Sequence, residues 1–281
     1  MTDEIDRVAE LGWHVPVASA DGVIRFESSV SGGMSFPDEG LEVLSMEVEG
    51  NYWFDHRATA VAACLTRLRV SSMWDVGSGT GAMAGRLRPS LVSVVAVEPQ
   101  DGGARLAAAR GLPSLCATLQ DLRLPDGCLE CIGAFDVIEH VRDVDSLLKE
   151  ARRVLQPNGL VIVTVPAFNA LWGDEDDFAQ HLRRYSRPAL VEQFAHCGFR
   201  AVHVEYLFAS LVLPALVTRA VPYRLGVRRS PERVLDKMQV QLSTTGVVGR
   251  IAKAVLRSEE VAARKFDLPL GLSLLGAFRV A

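Results

Sequence analysis

Three glycines alternate in the stretch "MWDVGSGTGAMAGRL", which spans residues 73–87. An apolar run ends at Asp75, and the glycines follow at positions 77, 79 and 81, directly before a segment with helical character. A glycine-rich turn between a strand and a helix exposes backbone N–H groups, and the missing Cβ atoms let a ligand approach closely. This stretch therefore predicts a site for the adenosine end or the phosphate of a ligand.

The glycine turn alone fits more than one class of protein. Its "GSGTGA" satisfies the dinucleotide pattern G-x-G-x-x-A, so a nicotinamide or flavin enzyme is one alternative. The phosphate-loop pattern G-x-x-x-x-G-K-[ST] is absent, which argues against an NTPase. The next predicted strand ends at Glu98, whose carboxylate can accept from both hydroxyls of a ribose, and Asp121 follows the third strand, where it can accept from an adenine amino group.

A second group of reactive side chains lies in "DVIEH". Asp136, Glu139 and His140 stand at i, i+3 and i+4, which predicts one face of a helix at the mouth of a sheet. His140 could act as a general base, with Asp136 beside it. The alternative is that Glu139 and His140 cap and pack this helix.

Two further groups are candidates for acceptor binding. In "HLRRYS", the side chains of His181, Arg184 and Tyr185 could bind an anionic or polar acceptor, or the arginines could pair with the preceding acidic residues and brace a loop. Upstream, Trp53 and Arg57 lie one helical turn apart. They are expected either to pack in the core or to cover a bound cofactor, with Arg57 on its carboxylate.

The composition limits the class of protein. The chain has 281 residues, 49% of them hydrophobic, and a net charge of −4, which argues against a nucleic-acid-binding protein. Five scattered cysteines favour a reducing compartment over a disulfide framework. The acidic start "MTDEIDRVAELGW" does not have the pattern of a signal peptide, and no apolar run is long enough to span a membrane. These features predict a cytoplasmic protein.

Strands alternate with helices from about residue 51, which predicts a doubly wound, mostly parallel α/β sheet. The segments with strand character are 71–76, 93–98, 114–119, 129–134, 160–166, 199–207 and the closing stretch within 269–281. The remaining segments are an N-terminal extension or cap over 1–50 and a helical insertion over 208–268, which would form an acceptor pocket, a lid or a dimer face. The expected domain of the alternating elements is 51–207, closed by the strand in 269–281.

Six ordered pieces of this chain resemble class I S-adenosylmethionine-dependent methyltransferases of the UbiE/UbiG-like branch. They are "WDVGSGTG", "VVAVEP", "QDLRLP", "FDVIEHV", "RVLQPNGLVIVTVP" and "CGF". The resemblance implies a Rossmann-like, seven-stranded sheet whose last strand is antiparallel. A bacterial subgroup also carries a "WF…R" element and the sequence "GHxRRY", although Gln180 stands here in place of that glycine.

The resemblance also assigns roles to residues. The residues it implies for binding S-adenosyl-L-methionine are Asp75, Gly77, Ser78, Gly79, Gly81, Glu98, Pro99, Asp121, Leu122 and Phe135. In ubiquinone-type O-methyltransferases the cluster equivalent to Asp136, Glu139 and His140 is associated with a divalent metal, so a metal there is an alternative to the base and packing roles.

The predicted function is methyl transfer to a small hydrophobic acceptor, with the methylated atom left open. The alternatives are an NAD(P)-dependent oxidoreductase and a methyltransferase-like binding protein without turnover. Residues 206–229 are apolar and then basic, which predicts a peripheral membrane contact or the wall of a greasy pocket. A buried helix or the face of a homodimer are the alternatives for the same segment.

Overall fold

Nine strands form a single mixed sheet in the computed structural model, which describes residues 18–26, 37–46, 51–243, 246–263 and 265–281. Their order across the sheet is β1-β2-β5-β4-β3-β6-β7-β9-β8. The strands are β1 (Ala18–Ala20), β2 (Val23–Arg25), β3 (Ser72–Val76), β4 (Ser93–Val97), β5 (Ser114–Cys116), β6 (Leu129–Phe135), β7 (Leu155–Pro166), β8 (Phe199–Leu207) and β9 (Ser273–Val280).

Helices cover both faces of this sheet. They are α1 (Asp38–Ser45), α2 (Tyr52–Leu68), α3 (Ala82–Leu87), α4 (Asp101–Ala109), α5 (Val144–Val154), α6 (Asp174–Phe178), α7 (Arg187–His196), α8 (Val212–Ala215), α9 (Val221–Arg224), α10 (Pro231–Ser243) and α11 (Gly246–Ala263). A π-helical turn, Leu216–Ala220, joins α8 to α9. Short 3₁₀ turns lie at Arg88–Ser90, Asn169–Leu171 and Ala209–Leu211.

The central strands are apolar on both faces, because each face carries a helical layer. In β3, Met73 belongs to the core on the face that α2 and α3 cover, and Trp74 and Val76 belong to the core on the other face, which includes residues of α5 and α7. The chain passes outward from β3 to β4 and β5 and then returns to the opposite side of β3 at β6, with parallel pairing throughout. Ligands of open α/β sheets bind at such a reversal, outside the carboxyl ends of the strands.

The predicted α/β class, the mostly parallel sheet and the antiparallel last strand are confirmed. Strand β9 runs antiparallel to both of its neighbours, β7 and β8. The predicted number of seven strands was too low, because β1 and β2 form a hairpin that extends the sheet beyond β5. The rest of the predicted N-terminal extension, residues 1–17, 27–36 and 47–50, lies outside the described residues.

Two local predictions were wrong. The strand expected over 114–119 ends at Cys116, because Thr118 and Asp121 exchange hydrogen bonds that turn the chain: Asp121 Oδ2 accepts from Thr118 Oγ1 at 2.7 Å, and Thr118 Oγ1 accepts from the Asp121 amide at 3.1 Å. The helix expected at "DVIEH" is a turn. Asp136 has a φ of 56°, which a helix excludes, and a hydrogen bond from the His140 amide to the Val137 carbonyl closes the turn.

The segment after β8 is helical up to α11, and the chain then returns to the sheet as β9. Within the described residues, no helix is both long and apolar enough to cross a membrane. The assignment of 208–268 to an acceptor pocket, lid or dimer face stays a prediction.

Candidate functional site

A cavity of about 990 Å³ opens at the carboxyl ends of the central strands. Segments that follow β3, β4, β5, β6 and β7 all contribute to its lining, so it lies at the reversal of strand order. Helices α2 and α6 and the insertion complete the wall. The sequence-predicted residues that line the cavity are Trp53, Arg57, Asp75, Gly77, Ser78, Gly79, Glu98, Pro99, Phe135, Asp136, Glu139, His140, His181 and Arg184.

The three glycines of the turn have different roles. A Cβ on Gly79 would meet no atom within 4 Å, so this position faces open space. A Cβ on Gly77 would lie 2.6 Å from Val137, and one on Gly81 would lie 2.9 Å from the backbone of Ala107. All three have positive φ angles. Gly79 is therefore the position where a ligand can approach, whereas Gly77 and Gly81 allow the turn to pack.

Glu98 fastens this turn to the second strand. Its Oε2 accepts from the Gly79 amide at 2.7 Å and its Oε1 from the Gln100 amide at 2.9 Å. Burial raises the pKa of Glu98, and the two amide hydrogen bonds oppose that rise. The carboxylate lines the cavity in a fixed orientation, as a ribose acceptor requires, and that role stays a prediction.

Asp75 is a poorly compensated buried carboxylate of the site. Its side chain is 1% exposed, and neither carboxylate oxygen has a well-formed hydrogen bond among the described residues, although the Ala84 amide approaches it. Burial, assisted by the charge of Glu98, raises the pKa of Asp75 to about 8. A buried acid without a partner at the wall of a cavity is complementary to a cationic ligand.

Arg57 is held inside the cavity by an ion pair with Asp136. The other oxygen of Asp136 accepts from Thr164 Oγ1 at 3.1 Å. The Arg57 guanidinium also lies 5.5 Å from the ring centre of Trp53, and that ring stacks on Phe208 at 3.9 Å. The predicted contact of Arg57 with a cofactor carboxylate would therefore have to compete with Asp136.

Glu139, His140 and His181 converge on one side of the cavity. One potential metal-ligand atom of each residue lies within 4.8 Å of those of the other two. The two imidazole rings meet edge to face, with their ring centres also 4.8 Å apart. Glu139 is fully buried, and neither of its oxygens has a hydrogen-bond partner in another described residue. Burial and the charge of Asp136 raise the pKa of Glu139 well above its usual value. Burial and the neighbouring His181 lower the pKa of His140 to about 4.

His181 is oriented by a buried carboxylate on α6. Its Nδ1 lies 2.7 Å from Asp176 Oδ1. Arg184 donates two hydrogen bonds to the same carboxylate, at 2.8 and 2.9 Å, and the Gly173 amide donates a third at 2.8 Å. Burial would raise the pKa of Asp176, but the hydrogen bonds from His181 and Arg184 and the Arg184 charge outweigh it and lower that pKa to about 2. The predicted pairing of Arg184 with the acidic run is thus present in the structure.

Four predicted residues do not line the cavity. Asp121 is engaged in its turn with Thr118, and Leu122 is fully buried in the core. Tyr185 is a core residue, and burial raises its pKa to about 12. Gly81 packs against α4. The roles predicted for these residues in ligand binding remain untested.

Several lining residues were missed by sequence reasoning. After β5 the wall is formed by Thr118, Leu119 and Gln120. The insertion contributes Ala215, Arg219, Met238 and Gln241. Asp176 also lines the cavity, and the sequence predicted it only as a possible partner of the arginines, within the acidic run "DEDDF".

The segment 206–229 is partly buried and partly exposed. Phe208 is fully buried, while Leu213, Val217 and Leu225 are exposed at 68%, 58% and 76%. The basic end is tied to α6, because Arg228 lies 3.4 Å from an oxygen of Asp177. An exposed apolar stripe at four-residue spacing therefore runs along α8, the π-helical turn and α9.

Comparisons with known proteins agree with this geometry. The family model described as "Methyltransferase domain" matches residues 52–204, more than half of the chain. A probable S-adenosylmethionine-dependent methyltransferase of Mycobacterium tuberculosis is 26% identical over 140 residues, which cover 49% of this chain and 48% of that protein. The chain spans about half the length of such curated relatives.

A ubiquinone biosynthesis O-methyltransferase of a Bradyrhizobium strain is 33% identical over 107 residues, covering 36% of this chain and 41% of that protein. Among solved structures, a methyltransferase from Thermotoga maritima described as a possible histamine N-methyltransferase superposes with a TM-score of 0.51. The superposition covers 85% of this chain and 93% of the Thermotoga chain, at 20% sequence identity. This similarity is evidence of a shared fold alone.

Proposed function

The chain belongs to the methyltransferase domain family, and on that premise we propose that it transfers the methyl group of S-adenosyl-L-methionine to a small-molecule acceptor held in the cavity. Bound cofactor supplies a methyl group activated by a sulfonium cation. The protein then has to hold the acceptor atom in line with that group and to accept its proton where it carries one.

The observation that carries the proposal is the unpartnered Asp75 carboxylate beside the open face of Gly79. A cationic ligand would compensate the charge of the buried acid. The open space at Gly79 would let part of that ligand lie against the protein backbone. Asp75, Gly79 and Glu98 would hold S-adenosylmethionine, with Glu98 on the ribose hydroxyls. A dinucleotide fits less well, because its pyrophosphate would bring negative charge towards two buried acids.

The acceptor would lie against the side of the cavity that α1, α10 and the strand ends share. Apolar side chains dominate there, which supports a hydrophobic or aromatic acceptor. They are Leu41, Leu44, Leu171, Met238 and Leu272. The methylated atom would face the polar side, near His140 and His181.

The experiment compares calorimetric binding of S-adenosylhomocysteine with binding of NADH and NADPH. We expect S-adenosylhomocysteine to bind and the nicotinamide cofactors not to bind. Glu98→Gln preserves the shape of the side chain and should weaken S-adenosylhomocysteine binding, whereas Glu42→Gln on the exposed side of α1 is the matched control. Tight nicotinamide binding alone would overturn the proposal in favour of an oxidoreductase.

Transfer of a tritiated methyl group to a fractionated metabolite extract would then identify the acceptor. A protein that binds S-adenosylhomocysteine but methylates no fraction would behave as a binding module without turnover. A divalent metal at Asp136, Glu139 and His140 stays a prediction. The carboxylate of Asp136 already pairs with Arg57 and accepts a hydrogen bond from Thr164. His181, rather than Asp136, forms a close group with Glu139 and His140.

A peripheral membrane contact through 206–229 is proposed on the exposed stripe of that segment, which ends near Arg224. The same stripe would serve as the face of a homodimer, so the two proposals need separate measurements. Neither is required for methyl transfer.

A further inference from the structure

We propose that His181 is the general base that accepts the proton of the acceptor during methyl transfer, and that Asp176 is its positioning residue. The inference rests on the proposed function and goes beyond it, because it assigns the proton to a different imidazole from the one the sequence predicts. It also restricts the acceptor to a molecule whose reacting atom carries a proton, such as a hydroxyl or an amine.

The hydrogen bond to Asp176 determines which nitrogen of His181 is available. Asp176 is ionised and its oxygens can only accept, so Nδ1 of His181 must carry the hydrogen in the 2.7 Å contact. The lone pair of the neutral ring then lies on Nε2, on the edge away from Asp176. His181 lines the cavity. As the base, it would present this lone pair to the acceptor.

The carboxylate that orients His181 is itself immobilised. Asp176 is 1% exposed and accepts from four donors: His181 Nδ1, two nitrogens of Arg184 and the Gly173 amide. Arg184 is 9% exposed and also donates to the Ala167 carbonyl at 3.0 Å, directly after β7. The imidazole is thereby attached to the rigid sheet through two buried side chains, which is the arrangement that a preorganised base requires.

His140 is the less suitable base of the pair. It lies against His181 edge to face, with ring centres 4.8 Å apart, so a proton on one ring disfavours a proton on the other. His181 has the ionised carboxylate of Asp176 2.7 Å from its far nitrogen. That carboxylate would stabilise a proton taken up at Nε2 of His181.

The chemistry balances with groups that the proposal names. The acceptor atom forms a bond to the methyl carbon while the carbon–sulfur bond breaks and its electron pair remains on sulfur. The proton of the acceptor atom passes to Nε2 of His181, and the imidazolium later releases it to water. Asp176 keeps its charge throughout and stabilises the imidazolium through the Nδ1 hydrogen bond.

The first test does not need the acceptor. Long-range ¹H–¹⁵N NMR on the histidine-labelled protein, saturated with S-adenosylhomocysteine, reports which nitrogen of each neutral ring is protonated. We expect His181, assigned by the signals that His181→Gln removes, to be protonated at Nδ1, and Asp176→Asn to shift it towards the Nε2 form. A neutral His181 protonated at Nε2 in the unmodified protein would overturn the proposal, because no lone pair would then face the acceptor.

The second test measures turnover with tritiated S-adenosylmethionine and a fixed panel of phenols, alcohols and amines. We expect His181→Ala to lower kcat by roughly 100-fold or more, with the Kd for S-adenosylhomocysteine within about twofold, and free imidazole to restore part of the rate. Asp176→Asn should lower kcat similarly without imidazole rescue. His196→Ala changes an exposed histidine on α7 and is the matched control.

The outcomes separate this proposal from the proposed function. If His181→Ala keeps its kcat within a few-fold, or if a chelator abolishes the activity of the unmodified protein and zinc restores it, His181 is not the base. Failure to bind S-adenosylhomocysteine would instead refute the proposed function. If the protein binds S-adenosylhomocysteine but methylates nothing in the panel, the proposed acceptor class fails, and the tautomer of His181 still decides the assignment of the base.

Discussion

Replacing Asp75 by asparagine should stabilise the ligand-free protein at neutral pH and at the same time weaken cofactor binding. The carboxylate is buried without a well-formed hydrogen bond in the described part of the chain, and its pKa is raised from 3.8 to about 8. In the unfolded chain the same group ionises near pH 4. Folding at pH 7 therefore requires Asp75 to take up a proton.

The cost of that proton follows from the difference between the two pKa values. Each pH unit above the unfolded pKa costs about 1.4 kcal/mol, so the upper limit is ~4 kcal/mol at pH 7. Because the pKa is raised in the folded protein, the contribution of Asp75 to the free energy of unfolding is fully present below pH 4. That contribution is lost as the pH rises towards about 8. An asparagine carries no such dependence, but its own buried amide costs ~1–3 kcal/mol when unpaired. The expected net gain at pH 7 is ~1–3 kcal/mol.

Urea unfolding of the ligand-free protein at pH 4.5, 6 and 7.5 measures this effect. The gain from Asp75→Asn should grow with pH and vanish or reverse at pH 4.5, while Asp236→Asn, a change on the exposed side of α10, should show no such trend. S-adenosylmethionine should bind to Asp75→Asn at least tenfold more weakly, because this cationic ligand loses its carboxylate partner. A gain that does not change with pH, or unchanged binding, would refute the assignment of Asp75 as a buried neutral acid that a cationic ligand ionises.

Three further predictions concern the same site and the insertion. Gly79→Val should abolish S-adenosylhomocysteine binding in calorimetry, because the branched side chain enters the open space of the turn. Glu98→Ala should weaken that binding by at least 100-fold through the loss of two hydroxyl acceptors. Both proteins should remain folded by circular dichroism, and normal binding by both would show that the cofactor binds at another site. His140→Ala should reduce turnover less than His181→Ala does and lower the melting temperature, and the reverse order of turnover would return the base to His140. The protein should co-sediment with anionic liposomes at low salt and less at high salt if 206–229 contacts membranes, whereas no binding at low salt together with a dimer by light scattering would assign the exposed stripe to a homodimer.

The central part of the fold could be predicted from sequence because its signals are local. A short, mostly apolar run, three alternating glycines and a helix start occupy neighbouring positions between Met73 and Leu87, so their order alone predicts a strand, a turn and a helix. Glu98 could be assigned to the cavity for the same reason, since the end of a parallel strand always faces the same edge of the sheet. The hairpin β1–β2 carried no comparable signal, because its strands have three residues each.

The tertiary structure decided which side chains meet. Asp136 and Arg57 are 79 positions apart in the chain, and only the packing of α2 over the end of β6 makes them an ion pair. Likewise, spacing predicted that Asp136, Glu139 and His140 share a helical face, but the positive φ of Asp136 replaces that helix by a turn. The loop after β7 then brings His181 against His140, and the buried Asp176 orients it. Sequence periodicity describes what each segment forms by itself, whereas burial, register and long-range pairing determine which carboxylate is left without a partner and which imidazole can take a proton.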